Sequence, residues 1–320
     1  MTVAMPFSSS VLTGAIDKRR PVQTPILDRH FTRRRQVGTP NVQLEIVDGP
    51  EGLAVAISHG VQSRRAPNGT ESGVTVTIPR FSEHDTIKAS DLIGLREAGG
   101  QNLRTLQQVY VRKLDDIRRR FDRTQEYMAI KGCFGQVVDG KGTVIATYDV
   151  PSVENVTFSD AAQDNPVDVF DDVGTSLARA LGGVPGIMHA YAGISAYKMI
   201  RNHPKVLELL TGTASANTLL ATGELRVLSG VVIHKFVGVY ADLAGTDQVY
   251  IPDDEILILS EESAFEVVNG PCETPDGLVA QEWYVDTWQE RDPPATFLRV
   301  ETNPLPVVTR PEAVRRLKVS

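Results

Sequence analysis

Apolar positions fall in three different rhythms along the chain, and each predicts a different kind of element. Between residues 41 and 78 they alternate. Val42, Leu44 and Ile46 stand around Gln43 and Glu45; Leu53, Val55 and Ile57 around Ala54 and Ala56; Val74, Val76 and Ile78 around Thr75 and Thr77. A period of two with β-branched residues predicts half-buried strands. Pro79 ends the third run, and the turn-forming stretch Arg64-Arg65-Ala66-Pro67-Asn68-Gly69-Thr70 separates it from the second. A two-stranded ribbon is marginal in water by itself. Its apolar face needs a covering surface, and the chain offers little nearby in sequence.

Residues 101–131 switch to a helical rhythm. Leu103, Leu106, Tyr110, Leu114, Ile117 and Phe121 recur at steps of three and four and draw one apolar stripe. Gly99-Gly100 precedes the stripe, Asn102 is placed to cap the first amides, and Lys131 followed by Gly132 supplies a C-terminal stop. Asp115 and Asp116 stand four residues before Arg119 and Arg120, the favourable order for ion pairs on a helix. A helix over 102–131 runs on the order of 45 Å at about 1.5 Å per residue, long enough to span a subunit. Its charged face reads as solvated.

The third rhythm alternates helix and strand. Gln136–Ile145 reads as a hairpin with its turn at Asp139-Gly140. Asn165-Pro166 opens a helix with Val169, Val173, Leu177 and Leu181 on its apolar face, and Gly182-Gly183 ends it. Ile187–Tyr191 predicts a short strand, Ser195 the cap of a helix through Ile200, and Pro204–Leu210 a further helix. Val231–Tyr240 and Ile256–Leu259 are strongly apolar, the pattern of strands buried on both faces. Residues 278–308 return to alternation and close on Pro304-Leu305-Pro306. This stretch is expected to pair back near the long helix, which makes one domain discontinuous in sequence.

Residues 1–40 sustain no period. They hold Lys18-Arg19-Arg20 and Arg33-Arg34-Arg35, interrupted by Pro21, Pro25 and Pro40, and read as an extended arm. Val22, Ile26, Leu27 and Phe31 argue that the arm is partly buried on another surface. The composition, 41% hydrophobic and 23% charged over 320 residues, is that of a globular protein of about two domains. No apolar run approaches the ~20 residues that span a bilayer. Met1-Thr2-Val3-Ala4-Met5-Pro6 has no basic region followed by an apolar stretch, so a secretory leader is not expected. Cys133 and Cys272 stand far apart, outside any metal-binding spacing, and read as buried thiols. The net charge of −7 hides an asymmetry: residues 1–135 hold 20 Lys and Arg against 14 Asp and Glu, and residues 136–320 hold 13 against 26. A basic half suits nucleic acid or the acidic half of a neighbouring copy. No stacking aromatics are interleaved with the basic residues, which favours the copy.

Candidate chemistry is thin. Gly135-Gln136-Val137-Val138-Asp139-Gly140-Lys141-Gly142 matches a phosphate-binding loop through its lysine and then puts Gly142 where Ser or Thr must hold magnesium. It also follows a helix and turns a hairpin, the wrong context. Gly193-Ile194-Ser195-Ala196-Tyr197 lacks the second glycine of a nucleophile elbow, and helix capping explains Ser195 more simply. None of His30, His59, His84, His189, His203 and His234 lies close enough in sequence to another for a local metal pair. His189 and His234 fall inside apolar strands and read as satisfied core residues. The paired acids Asp253-Asp254 and Glu261-Glu262 fit turns and surfaces, and the glycosylation patterns at Asn68 and Asn155 mean nothing without secretion. Catalytic, cofactor and metal sites are therefore expected to be absent.

The order of these elements resembles the major capsid proteins of tailed bacteriophages, and specifically the lambda-type family known as phage major capsid protein E. Tyr148-Asp149-Val150 through Asn155-Val156-Thr157-Phe158 is similar to the family's stretch after the hairpin. Ile187–Tyr191 with the Tyr197 helix is similar to its strand–helix step. Leu228-Ser229-Gly230-Val231-Val232-Ile233, Val239-Tyr240 and Tyr250-Ile251-Pro252-Asp253 resemble its central strands and their connector. Trp288 through Asp292-Pro293-Pro294 to Pro304-Leu305-Pro306-Val307 resembles its C-terminal return. Coverage is nearly the whole chain and weakest over 1–40; order and spacing carry the likeness, and no single motif does.

The resemblance implies an α+β fold of the Hong Kong 97 type. It assigns residues 1–40 to an N-terminal arm and 41–98 to an extended loop. Residues 99–160 with 285–320 become a peripheral domain containing the spine helix, and 161–284 an axial domain. It implies copies that self-assemble into pentamers and hexamers of an icosahedral head around double-stranded DNA, held without sequence-specific binding. Scaffold, portal and decoration proteins are the implied partners, with no membrane, catalysis, cofactor or metal. The implied location is the virion, with assembly in the host cytoplasm. Arg33, Arg34, Arg35, Arg64, Arg65, Val74, Val76 and Ile78 are the candidate intersubunit contacts. The loop around Arg64-Arg65 holds no lysine, so the covalent cross-linking of some distant capsids is not expected. An encapsulin-like cargo shell and a cytoplasmic α/β enzyme are the alternative readings.

Overall fold

Alternation and helical stripe meet in the first of two compact units, formed by Met1–Val42, Val76–Met128 and Val267–Pro306. The computed structural model describes residues 12–14, 16, 22–47, 71–88, 106–158, 165–183, 186–210, 224–228, 230–260, 264–291 and 294–320. Strand Pro294–Thr302 lies between Tyr284–Arg291 and Phe81–Lys88 in an antiparallel sheet. Alternation turns Ile87, Val285, Leu298 and Val300 to one face, where they pack with Val109, Tyr110, Leu114, Ile117 and Phe121 of the long helix. The expected return of 278–308 to the region of that helix is thus what the structure shows. Leu12 and Ile16, from the first residues of the chain, join the same core.

The helix itself is Leu106–Cys133; residues 101–105, with the expected cap at Asn102, lie outside the described residues. Its end corrects the expectation. Gly132 is helical, and the chain leaves the helix at Gly135, whose φ of 102° is left-handed. Gly132 serves packing instead, because a Cβ there would lie 3.2 Å from Val137 Cγ2. Arg119 pairs with Asp116, three residues back, and the Arg120 side chain reaches Glu83 of another strand at 2.6 Å.

The N-terminal segment is more structured than an extended arm. Pro25–His30 forms a six-residue helix that buries Ile26, Leu27 and His30, and Phe31 after it is buried too. Less than two turns is too short to leave a readable period. Asn41–Val47 pairs with Glu71–Thr77, as the alternation predicts; the expected run at 53–57 lies outside the described residues. One expectation for this ribbon needs correcting. Its base is covered within the chain, with Val42, Leu44, Val76 and Ile78 buried. Gly270 makes room for the last of these, since a Cβ there would lie 2.9 Å from Ile78 Cγ2. For Ile78 the cover comes from nearly two hundred residues downstream, out of reach of a local reading.

The second unit comprises Gln43–Thr75, Ala129–Glu266 and Val307–Ser320. Its six-stranded sheet runs Glu154–Val156, Val314–Val319, Glu255–Ser260, Met188–Ala192, Val231–Lys235, Leu225–Leu228. Met188–Ala192 is buried at every residue, as its unbroken apolar run predicts. Phe170, Val173 and Leu177 from helix Pro166–Leu181 pack on one face together with Tyr197, Ile200, Val206 and Leu210 from helices Ile194–Asn202 and Pro204–Leu210. Asn165 caps the first of these by accepting from Val167 N at 3.1 Å, and Gly182 ends it at φ 71°.

Two expectations change here. Ser195 is not the helix cap; Gly193 is, and the carbonyl of Asp253 accepts Ser195 N and Ala196 N at 3.0 and 2.9 Å. The apolar run Val231–Tyr240 is not one strand either. It stops at Lys235, and Val239–Ala241 pairs separately with Asp247–Val249. Gly238 packs against the rings of Phe236 and Tyr250 at this break, leaving no space for a side chain.

Candidate functional site

Along one face of the long helix, Arg118, Asp122 and Glu126 lie at steps of four and grip the N-terminal segment. Arg118 Nη1 donates to the carbonyl of Ile16. Asp122 Oδ2 accepts from Val22 N at 3.1 Å. The two oxygens of Glu126 accept from Ile26 N at 3.1 Å and Leu27 N at 2.9 Å. Thr24, the N-cap residue of helix Pro25–His30, makes no side-chain cap. Glu126 therefore caps that helix from a hundred residues away. Its side chain is buried, with the residue 3% exposed. Burial pushes its carboxyl up to about 7 against the pull of the two amides, and Asp28 adds to the rise. Burial raises Asp122 as well, opposed by Val22 N–H and Arg118. Arg118 also lies over the Trp283 ring, 5.2 Å from its centroid.

A second polar centre holds the strands that follow the ribbon. Glu301 has a fully buried side chain; its Oε2 meets Arg80 Nη2 at 2.9 Å, and its Oε1 accepts from Glu273 N at 2.9 Å. Asn303 Nδ2 donates to Pro271 O at 2.6 Å, while its Oδ1 accepts from Phe81 N at 3.1 Å. Burial alone would raise the Glu301 carboxyl, but Arg80, the Glu273 amide and Asn303 hold it below its ordinary range.

His189 and His234, read from sequence as separate core residues, form one cluster. His189 Nδ1 and His234 Nε2 are 2.9 Å apart, and His234 Nδ1 is 3.3 Å from Glu224 Oε1. With His234 donating to Glu224, its Nε2 accepts from His189 Nδ1–H. Nothing in the sequence couples positions 45 apart; the parallel pairing of Val231–Lys235 with Met188–Ala192 does so. Among the described residues no group of three His, Cys, Asp or Glu could hold a metal ion, and no helix is long and apolar enough to cross a membrane.

The sequence-derived candidates fall into three sets. Arg33, Arg34 and Arg35 are exposed on strand Arg33–Gln36, and Arg34 pairs with Glu282. Arg64, Arg65 and the side chain of Val74 lie outside the described residues. Val76 and Ile78 are each only 6% exposed within the single chain, so they are not bare surface awaiting a partner. The phosphate-loop near-match is a hairpin turn, in which Asp139 Oδ1 accepts from Lys141 N and Thr143 N, each at 2.8 Å. Asp254 pairs with Lys318 at 3.4 Å; Glu261 and Glu262 lie outside the described residues. Exposed apolar residues were missed by periodicity. Val239 and Val249 are cross-strand partners, 55% and 43% exposed, and Leu243 between them is 77% exposed.

Comparison with known proteins places this architecture. The sequence pattern of the family described as phage major capsid protein E matches residues 8–319. The major capsid protein of Salmonella phage Felix O1 is 24% identical, covering 94% of this chain and 93% of that protein. Among solved structures, a prophage protein of Escherichia coli CFT073 assigned to the capsid has a TM-score of 0.69 at 16% identity, covering 99% of this chain and 100% of its own. The capsid structure of cyanophage P-SCSP1u has a TM-score of 0.56 at 14% identity, covering 95% and 90%. The mature capsid of bacteriophage PhiM1 has a TM-score of 0.51 at 12% identity, covering 90% and 84%.

Proposed function

The chain belongs to the phage major capsid protein E family, with a Hong Kong 97-type fold and a shell-forming role in the virion, and from that premise we propose that its copies assemble as pentamers and hexamers of an icosahedral head around double-stranded DNA. The observation that carries this reading is the end-to-end match: arm, ribbon, long helix and six-stranded sheet all fall inside the family pattern. Residues 99–160 with 285–320 are proposed as the peripheral domain and 161–284 as the axial domain. Strands Glu154–Val156 and Val314–Val319, peripheral by these bounds, pair into the six-stranded sheet whose other strands are axial. Residues 1–40 are the arm and 41–98 the extended loop.

Contacts between copies follow from what the single chain leaves uncovered. Arg33, Arg34 and Arg35 are exposed cations, suited to the acidic half of a neighbour, and Arg64 and Arg65 at the loop add to them. Such rim charges set register and association rate more than strength. The Val239–Val249 pair and Leu243 supply apolar area worth about 25 cal/mol per Å2 once covered. Heterologous contacts of this kind close into rings when the rotation permits. The net charge of −7 suits a container from which duplex DNA must leave. Assembly in the host cytoplasm, with scaffold, portal and decoration proteins as partners, completes the proposal. No catalytic step is assigned to the chain.

The test is negative-stain electron microscopy of the purified full-length protein, alone and co-expressed with the scaffold of its own phage. Closed shells of uniform diameter are the expected outcome. Monomers that persist at high concentration in both preparations overturn it.

A further inference from the structure

We propose that helices Pro166–Leu181 and Ile194–Asn202 carry the two halves of a contact between copies, in which the acidic row Asp168, Asp171 and Asp172 of one copy meets Lys198 and Arg201 of the next. This deepens the shell-forming reading above and rests on it.

The rows follow from helical spacing. Asp168, Asp171 and Asp172 stand at i, i+3 and i+4 and share one face, opposite the buried Phe170, Val173 and Leu177. Lys198 and Arg201 stand three apart, turned from the buried Ala196, Tyr197 and Ile200. All five are exposed. Like charges at such spacing repel along a helix, so each row weakens the element that bears it. The helix ends explain only part of this. Asp168 lies in a first turn and Arg201 in a last turn, where the dipole favours them. Asp168 also accepts from Asn165 Nδ2 at 3.3 Å, and Arg201 Nε donates to Asn202 Oδ1 at 3.2 Å. Asp171, Asp172 and Lys198 lie outside those turns. Among the described residues their side chains make no ion pair or hydrogen bond. Residues 159–164, 184–185 and 211–223, outside the described residues, hold no Lys or Arg that could relieve the acids. Arg179 follows on the acidic face two turns after Asp172, about 10 Å along the axis.

A second copy is the occupant, because it brings the opposite row at a matching spacing. Helix Pro204–Leu210 packs against both helices, and its Lys205 is already paired with Glu208 at 3.4 Å. Met199, next to Lys198, and Leu207 on that third helix are exposed as well, so the contact covers apolar area along with charge. With its two rows on separate helices, each copy offers one row to each of two neighbours. Unlike surfaces joined head to tail close into rings when the rotation permits. Opposed rows fix register, speed encounter and reject a like-charged approach.

Light scattering during assembly of the full-length chain, at low and high salt, tests this. Asp171→Lys with Asp172→Lys is expected to slow assembly at least about tenfold at low salt, as is Lys198→Glu with Arg201→Glu, and less at high salt. All four changes together restore opposite charges across the contact and should bring the rate back to within about threefold of wild type. Circular dichroism of each unassembled variant checks that the chain still folds. Where a reversal does not fold, Asp171→Asn with Asp172→Asn, or Lys198→Gln with Arg201→Gln, takes its place and should slow assembly in the same direction. A folded reversal that assembles at the wild-type rate, the result for a face that is only solvated or that holds another protein, overturns the proposal. So does a folded fourfold variant that stays as slow as its parents. Either result with wild-type shells present overturns this contact alone, whereas a wild-type chain that forms no shells overturns the shell-forming reading and the contact with it.

Discussion

Gly193 occupies a position where no other residue fits. A Cβ there would run into the carbonyl of Pro252 and lie 2.7 Å from the Cα of Asp253. Its φ of −59° is ordinary, so the requirement is closeness of backbones and not handedness. That closeness lets the Asp253 carbonyl cap the helix Ile194–Asn202. Gly193→Ala should cost on the order of 3 kcal/mol, read by urea unfolding. Gly183→Ala, with nothing within 4 Å of the added Cβ, should be nearly neutral in the same assay. The sequence showed the strand–helix step but not which residue caps it, because the partner carbonyl lies sixty residues on.

At the scale of elements, side chains from distant segments hold the pieces together. Glu301 ties its own strand, Pro294–Thr302, to Arg80 just before strand Phe81–Lys88, to the Glu273 amide in strand Pro271–Thr274, and to Asn303. Glu301→Gln leaves Arg80 half exposed to water, so the loss should be about 2 kcal/mol and not the larger cost of a fully buried broken pair. The Glu301 carboxyl is held below its ordinary 4.5, so its contribution is present above 4.5 and disappears as pH falls through its lower value. Acid unfolding monitored by circular dichroism should begin at higher pH in wild type than in Glu301→Gln after normalising for stability. The apolar stripe of the long helix was legible because a period of 3.6 needs no knowledge of partners. The clasp at Arg118, Asp122 and Glu126 was not, because its partners are backbone groups with no sequence signature.

At the scale of the whole molecule, charge is divided between the two halves of the chain, and the exposed arginines of strand Arg33–Gln36 stand in the basic half. Replacing Arg33, Arg34 and Arg35 with Glu should slow assembly at least tenfold at low salt, with a smaller effect at high salt. Light scattering during assembly reads this. Unfolding of the unassembled variant should change by no more than ~1 kcal/mol, since the ion pair of Arg34 with Glu282 lies in the exposed surface. Retained assembly rates would remove these residues from the contact.

The amino-acid order alone determined the kinds of element and their succession: alternating strands, one long amphipathic helix, then helices and strands in turn. Periodicity reports which face of an element is buried, and local burial is written locally. The sequence also carried the family likeness, which rests on order and spacing. Only the tertiary structure decided what covers each face. It placed Ile78 on Gly270, His189 against His234, and Glu126 under the amides of Ile26 and Leu27. It also turned two apolar-run residues, Val237 and Val239, out to solvent. These pairings join residues from 45 to nearly two hundred positions apart, and free energy of burial depends on proximity in space, which no single stretch of chain records.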